Sequence, residues 1–299
     1  MSRALAVPAA TAVPGTGTTP RRRAATIDLR GESTPLPALL RGLWRSRDLL
    51  VILARKEFHV RYRRASFGVL WALALPLLQS IVLAVVFSRV VHIRFTAHYP
   101  VFVLSAMVAW TFFSAALGAG ATAIVDGTDL SSRVYFTRAV LPISQVLANV
   151  YALLITLVIV VVACPLLGAG LGLRTLLVVP AAGLLVLLTM GFSLVGSALH
   201  VYFRDVRYLV SAALMVWFYV SPVIYPPADA PGKLRMVVDA NPLTGIIDLF
   251  HYAAIGQAAI GPAGSVVTPL VVSAVWTVAL VALGLGLQSR FDRVFADLL

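Results

Sequence analysis

The residues able to do chemistry are few, and their spacing is wrong for most of it. Two lysines occur among 299 residues: Lys56, followed by Glu57, and Lys233, followed by Leu234. A P-loop needs G-x-x-x-x-G-K-[ST], so neither lysine can hold nucleotide phosphates that way. The five histidines (His59, His92, His98, His200, His251) form no HExxH motif or close pair, and Cys164 is the single cysteine. An intrachain disulfide and a Cys-based metal cluster are excluded, and no metal site is expected. Asp126 and Asp129 are the closest pair of acids, and Asp248 is the one acid in an apolar stretch away from the span ends. General acid–base chemistry would want carboxylates paired about a substrate. Energy for any work must come from another subunit, an ion gradient, or nothing.

What remains is chemistry of recognition. Arg55, Lys56, Arg61, Arg63 and Arg64 lie together before the first long apolar run. Guanidinium and ammonium groups suit phosphate, although basic residues here also fix membrane orientation. Aromatic residues gather in or near the ends of the apolar runs: Trp71, Phe102, Trp110, Phe112, Phe113, Tyr151, Trp217, Phe218 and Tyr219. Two readings stay open for them, an aromatic belt at the membrane–water interface and a path whose ring faces carry sugars. Phe112–Phe113 and Trp217-Phe218-Tyr219 are the places to look for the second.

The elements that must position these groups are membrane helices. Of the residues 60% are hydrophobic and 12% charged, about half the charged share of a soluble domain. The apolar residues lie in runs that exceed the ~20 needed to cross a bilayer. Six spans are predicted, at about 67–91, 99–125, 143–171, 175–201, 208–225 and 266–287. Prolines at positions 76, 100, 165, 180 and 222 fall within or near their ends, where neighbours satisfy the freed backbone groups. The spans lack Asp, Glu and Lys through their centres, which argues against an ion-coupled carrier.

Net charge is +12, yet thirteen of the 24 Lys and Arg residues precede Ser66, and most others stand at ends of apolar runs. This is a membrane-orientation pattern, and no nucleic-acid partner is expected. An N-terminus inside the cell puts nineteen basic residues inside and five outside; discounting those before Leu49 leaves eleven against five. Both termini are therefore predicted to be cytoplasmic.

Residues 1–35, rich in Ala, Pro, Thr and Gly with Arg21-Arg22-Arg23, read as a disordered tail. Residues 36–66 mix Leu39, Leu43, Leu50, Leu53, Phe58 and Val60 with many cations, the pattern of an amphipathic helix in the membrane interface. Residues 67–299 form the transmembrane domain. Its second loop, 126–142, carries Arg133, Tyr135, Phe136 and Arg138. It is either a docking element with aromatic anchors and an Arg rim or an ordinary helix connection. Residues 240–260 are apolar but contain Asp248 and His251, and Pro226, Pro227, Pro231, Pro242 and Pro262 break the region. Two short re-entrant or interfacial helices on the outer face, a candidate gate, are predicted in place of a seventh span.

Five stretches in this order resemble the membrane subunit of ABC-type polysaccharide and polyol-phosphate exporters, which export O-antigen, capsule and teichoic acid. They are VRYRRASFGVLWALALPLLQ (60–79), DLSSRVYFTRAVLP (129–142), VYFRDVRYLV (201–210), SPVIYP (221–226) and NPLTGIIDLF (241–250). The likeness covers about 48–290. It implies a multi-pass protein of the bacterial plasma (inner) membrane, working as a homodimer with two cytoplasmic ATP-binding subunits. ATP and Mg²⁺ would then belong to that partner, and this chain would bind no cofactor.

The resemblance makes 129–142, with Asp129, Arg133, Tyr135, Phe136 and Arg138, the element that couples to the ATPase. The interface helix would flank the cytoplasmic entrance, where the basic cluster meets a lipid diphosphate. The stretch 222–260, with Pro222, Tyr225, Asn241, Pro242, Asp248 and His251, would be the outer gate. The cargo would be a glycan or glycan-phosphate polymer on a polyprenyl diphosphate lipid. One departure stands out: an aromatic followed by Arg often closes the Asn-Pro motif, whereas here Phe250 precedes His251. A drug or lipid exporter of the same superfamily and a membrane enzyme acting on polyprenyl phosphates are the rival readings.

Overall fold

A computed structural model describes residues 35–63, 68–87, 98–128, 136–230, 232–256 and 265–291. The predicted tail up to residue 34, Arg64, and the loop residues Asp129, Arg133 and Tyr135 lie outside the described residues. Regular structure among the described residues is wholly helical, ten α-helices with three short 3-10 turns.

The amphipathic segment forms two helices instead of one, α1 (Leu36–Arg45) and α2 (Arg47–Tyr62). They meet at Ser46, whose N–H is shared between the carbonyls of Gly42 and Leu43. Leu39 on α1 and Leu53 on α2 are buried, while Leu40, Trp44, Val51 and Ile52 are exposed. Helix α3 (Trp71–Val85) follows a 3-10 turn at Gly68–Leu70.

Four helical stretches are long and apolar enough to cross a membrane: Tyr99–Asp126, Val140–Leu166, Leu173–Tyr202 and Val267–Arg290. They correspond to α4 (Tyr99–Asp126), α5 (Val140–Leu166), α6 (Val178–Tyr202, preceded by a 3-10 turn) and most of the last helix. Helices α3 and α7 (Val206–Val220), which fall in the predicted first and fifth spans, have 15 residues each. At 1.5 Å per residue that is about 22 Å, short of a ~30 Å hydrocarbon core. The chain after α7 turns at Ser221–Tyr225 and forms α8 (Gly232–Ala240), α9 (Thr244–Ile255) and α10 (Val267–Phe291).

Helix α4 is the hub, with 78% of its most apolar stretch buried against 22% for the corresponding stretch of α10. It packs on α3, α5, α6 and α9. Small residues allow these contacts, as in membrane helices generally. A Cβ on Gly191 of α6 would stand 2.9 Å from Leu280 Cβ and from the Val281 nitrogen of α10. One on Gly245 of α9 would collide with the Pro269 carbonyl of α10. Helix α5 stops where Gly168 takes φ +81°, its N–H bonded to the Pro165 carbonyl and that of Ala169 to the Cys164 carbonyl, a left-handed helix ending that favours glycine.

Candidate functional site

At one end of the bundle α2 lies on α5 and the end of the second loop. Phe136, partly buried, packs with Leu43, Leu49 and Leu50 around Leu53, Ala123, Val140 and Leu141. The chain entering α5 and the amphipathic helices are thus one apolar unit. Phe58 of α2 stands 5.2 Å from Tyr151 of α5, ring to ring. Arg138 is half-buried beside Phe136 in sequence.

The basic residues of α2 separate in space. Arg55, Lys56 and Arg63 are exposed; the first two line a shallow groove of about 290 Å³ with Val51, Ile52 and His59. Lys56 faces Glu57 at 3.5 Å. Arg61, exposed like them, also reaches the spans, where Nη1 donates to Asn149 Oδ1 of α5 at 2.5 Å.

That bond closes one wall of a partly open cavity of about 430 Å³ between α2, α3, α4 and α5. From α2 come Arg61 and Tyr62, from α3 Trp71, Leu75 and Gln79, from α4 Trp110, Thr111 and Phe112, and from α5 Asn149 and Thr156. The volume is that of a small-molecule site. Arg61 is the one charged residue among its described lining residues. The cavity unites three residues that the sequence placed in separate roles: Arg61 at the lipid entrance, and Trp71 and Phe112 on the glycan path. Asn149, Gln79 and Thr111 were missed, although an Asn or Gln inside an apolar run is itself a signal for function.

The remaining aromatic candidates lie elsewhere. Phe113 is wholly buried and meets Phe192 and Trp217 edge-to-face at 5.8 and 5.3 Å. Trp110 meets Phe218 at 5.3 Å and Phe113 at 6.0 Å, and the second contact joins the cavity wall to this cluster. Tyr219 stays 68% exposed on the protomer surface.

At the other end of α4 the predicted gate residues converge. Asn241 is buried; its Oδ1 accepts from Trp217 Nε1 and the Leu243 N–H, both at 3.0 Å, and its Nδ2 donates to Ser221 Oγ at 3.0 Å. Tyr99 donates to the Ile224 carbonyl at 2.9 Å, and Tyr225 to the Tyr219 and Val220 carbonyls. Pro222 and Pro242 are buried around this network. On α9, His251 stacks on Phe102 with ring centroids 3.7 Å apart, and its Nδ1 is 3.9 Å from Asp248 Oδ1.

An ion pair absent from the sequence reading joins α4 to α7. Arg207 Nη2 donates to Asp126 Oδ1 at 2.7 Å, and Thr122 Oγ1 donates to Asp126 Oδ2 at 2.6 Å. Asp126 opens the second loop and Arg207 lies within the 201–210 motif, but their pairing spans 81 residues.

Known proteins resemble this chain over the same region. A family model described as ABC-2 type transporter matches residues 48–255. The O-antigen export system permease protein RfbA of Myxococcus xanthus is 34% identical over 219 residues, 71% of this chain and 82% of that protein. Its namesake in Klebsiella pneumoniae is 29% identical over 208 residues, covering 68% and 80%. The polysialic acid transport protein KpsM of Escherichia coli is 24% identical over 206 residues, covering 66% and 78%.

Proposed function

The chain belongs to the ABC-2 type transporter family as a permease of the polysaccharide-export kind, and on that premise we propose that it exports glycan carried on polyprenyl diphosphate, driven by ATP hydrolysis in a separate subunit. Two copies of the chain pair with two ATP-binding subunits in the plasma membrane, both termini in the cytoplasm. Residues 129–142 receive the push when the partner subunits close on ATP. Helices α8 and α9 re-enter the outer leaflet as a gate. The α2 end is then the cytoplasmic end, where Arg55, Lys56, Arg61 and Arg63 face the lipid diphosphate.

The observation that carries the reading is the similarity to the Myxococcus export permease over 71% of this chain. The packing of Phe136 with the amphipathic helices supports it mechanically, because displacement of the second loop must move α2 as well. A drug or lipid exporter shares the family but gives no reason for similarity to O-antigen and polysialic acid proteins.

Co-reconstitution with the ATP-binding partner tests the proposal. Labelled lipid-linked glycan should cross only with ATP, and the purified chain alone should show no ATP turnover. Replacing Tyr135, Phe136 and Arg138 together with Ala should abolish export while membrane insertion and ATP turnover persist. Undiminished export would remove the coupling assignment; turnover by the lone chain would remove the division of labour.

A further inference from the structure

The cavity between α2, α3, α4 and α5 has a chemical polarity that its volume alone does not convey. Thr111 Oγ1 donates to the Met107 and Val108 carbonyls, and Thr156 Oγ1 to those of Ala152 and Leu153. A hydroxyl has one proton and two lone pairs. With the proton committed to their own helices, Thr111 and Thr156 offer the cavity acceptors. Arg61 offers the reverse. A guanidinium carries five N–H donors; one reaches Asn149 Oδ1, and no carboxylate forms a salt bridge with Arg61 among the described residues. Asn149 is itself fixed, its Nδ2 donating to the Gln145 carbonyl at 2.8 Å, so it holds the guanidinium at the cavity wall.

A positive donor group on α2, hydroxyl acceptors on α4 and α5, and the rings of Trp71, Trp110 and Phe112 in the same lining describe a specific ligand. It must be anionic at one end and carry hydroxyl or amide protons at the other, with an apolar ring face. A phospholipid such as phosphatidylglycerol supplies the anion and headgroup hydroxyls, but no ring face for Trp71, Trp110 and Phe112. We propose that this cavity, inside a single protomer, seats the diphosphate and the first sugar of the lipid-linked glycan. Arg61 binds the diphosphate, and Thr111 and Thr156 accept from the sugar. The proposal rests on the export function above and adds a site to it.

The test uses the full chain with its ATP-binding partner in nanodiscs. A fluorescent short-chain polyprenyl diphosphate bearing N-acetylglucosamine is the probe, with the same diphosphate lacking sugar, the free polyprenol and phosphatidylglycerol as competitors. Arg61→Gln should weaken probe binding about ten-fold or more, because a charge-assisted donor is lost, and leave polyprenol unaffected. Arg61→Lys should recover part of it, since the charge returns without the fork. Thr111→Val keeps the shape and removes the acceptor; it should weaken the sugar-bearing probe about three- to ten-fold and the sugar-free diphosphate hardly at all.

If Arg61→Gln does not fold, Thr111→Val decides alone. Equal competition by phosphatidylglycerol, or indifference of the probe to both variants, would make the cavity an ordinary lipid seat and overturn the proposal. ATP-driven export by variants whose binding is unchanged would leave the function standing without this site. Probe binding with these selectivities but no ATP-driven export would leave the site and remove the function.

Discussion

The two ends of α4 are held by different physics. At its Tyr99 end the chain is fixed by buried, neutral hydrogen bonds centred on Asn241, which ties together α7, the Ser221 turn and the start of α9. At its Asp126 end the ties are an apolar cluster around Leu53 and Phe136 and an ion pair whose members are about half exposed. Buried polar networks have nearly fixed geometry, because any displacement leaves a desolvated group unpaired. An apolar cluster moves as a unit without stranding any polar group, and an exposed ion pair shifts at little cost. The α2 end is thus built to shift and the α8–α9 end to stay set until its network is broken as a unit.

The largest effect should therefore come from Asn241→Ala. It strands the half-buried Trp217 and the buried Leu243 donors and removes the partner of Ser221. At about 1–3 kcal/mol for each unsatisfied group, a loss of about 3 kcal/mol or more is expected in unfolding of the detergent-solubilised protein. A loss below about 1 kcal/mol would mean that the two ends are not distinct. Phe136→Ala comes next, at about 2 kcal/mol, below the range for a fully buried Phe because the side chain is only partly covered. Phe136→Leu should restore most of that, since an apolar contact asks for volume and not for direction. Trp217→Phe follows at about 1 kcal/mol: the edge-to-face contacts with Phe113 and Phe192 persist, and one hydrogen bond is lost.

The long helices were legible in the sequence because their apolar runs exceed what any short core helix would use, and α4, α5, α6 and α10 fall within a few residues of the predicted spans. The break at Ser46 was not legible, since Ser46 stands in an unbroken apolar-and-basic pattern and neither Gly nor Pro marks the boundary. Nor was the cavity. Arg61 and Asn149 are 88 residues apart, and in the sequence Arg61 is one of five neighbouring cations with nothing to distinguish it. Only the path of α2 across α5 selects it. Phe113 shows the opposite limit: in the sequence it forms a sugar-facing pair with Phe112, yet successive helical positions point about 100° apart. Phe112 reaches the cavity and Phe113 the core.

The smallest expected effect is the most informative about the mobile end. Arg207 and Asp126 side chains are 51% and 52% exposed, so their pair should contribute no more than about 1 kcal/mol to stability. Arg207→Ala should leave the unfolding temperature nearly unchanged, and the small difference from the parent should shrink between 50 mM and 500 mM salt as the Debye length falls. Exchanging the charges, Asp126→Arg with Arg207→Asp, should return the low-salt stability only in part, because Thr122 Oγ1 then loses the carboxylate it donates to. A salt-insensitive loss of 2 kcal/mol or more for Arg207→Ala would show a desolvated pair. The Asp126 end would then be as fixed as the Asn241 end, and the two-ended description of α4 would fail.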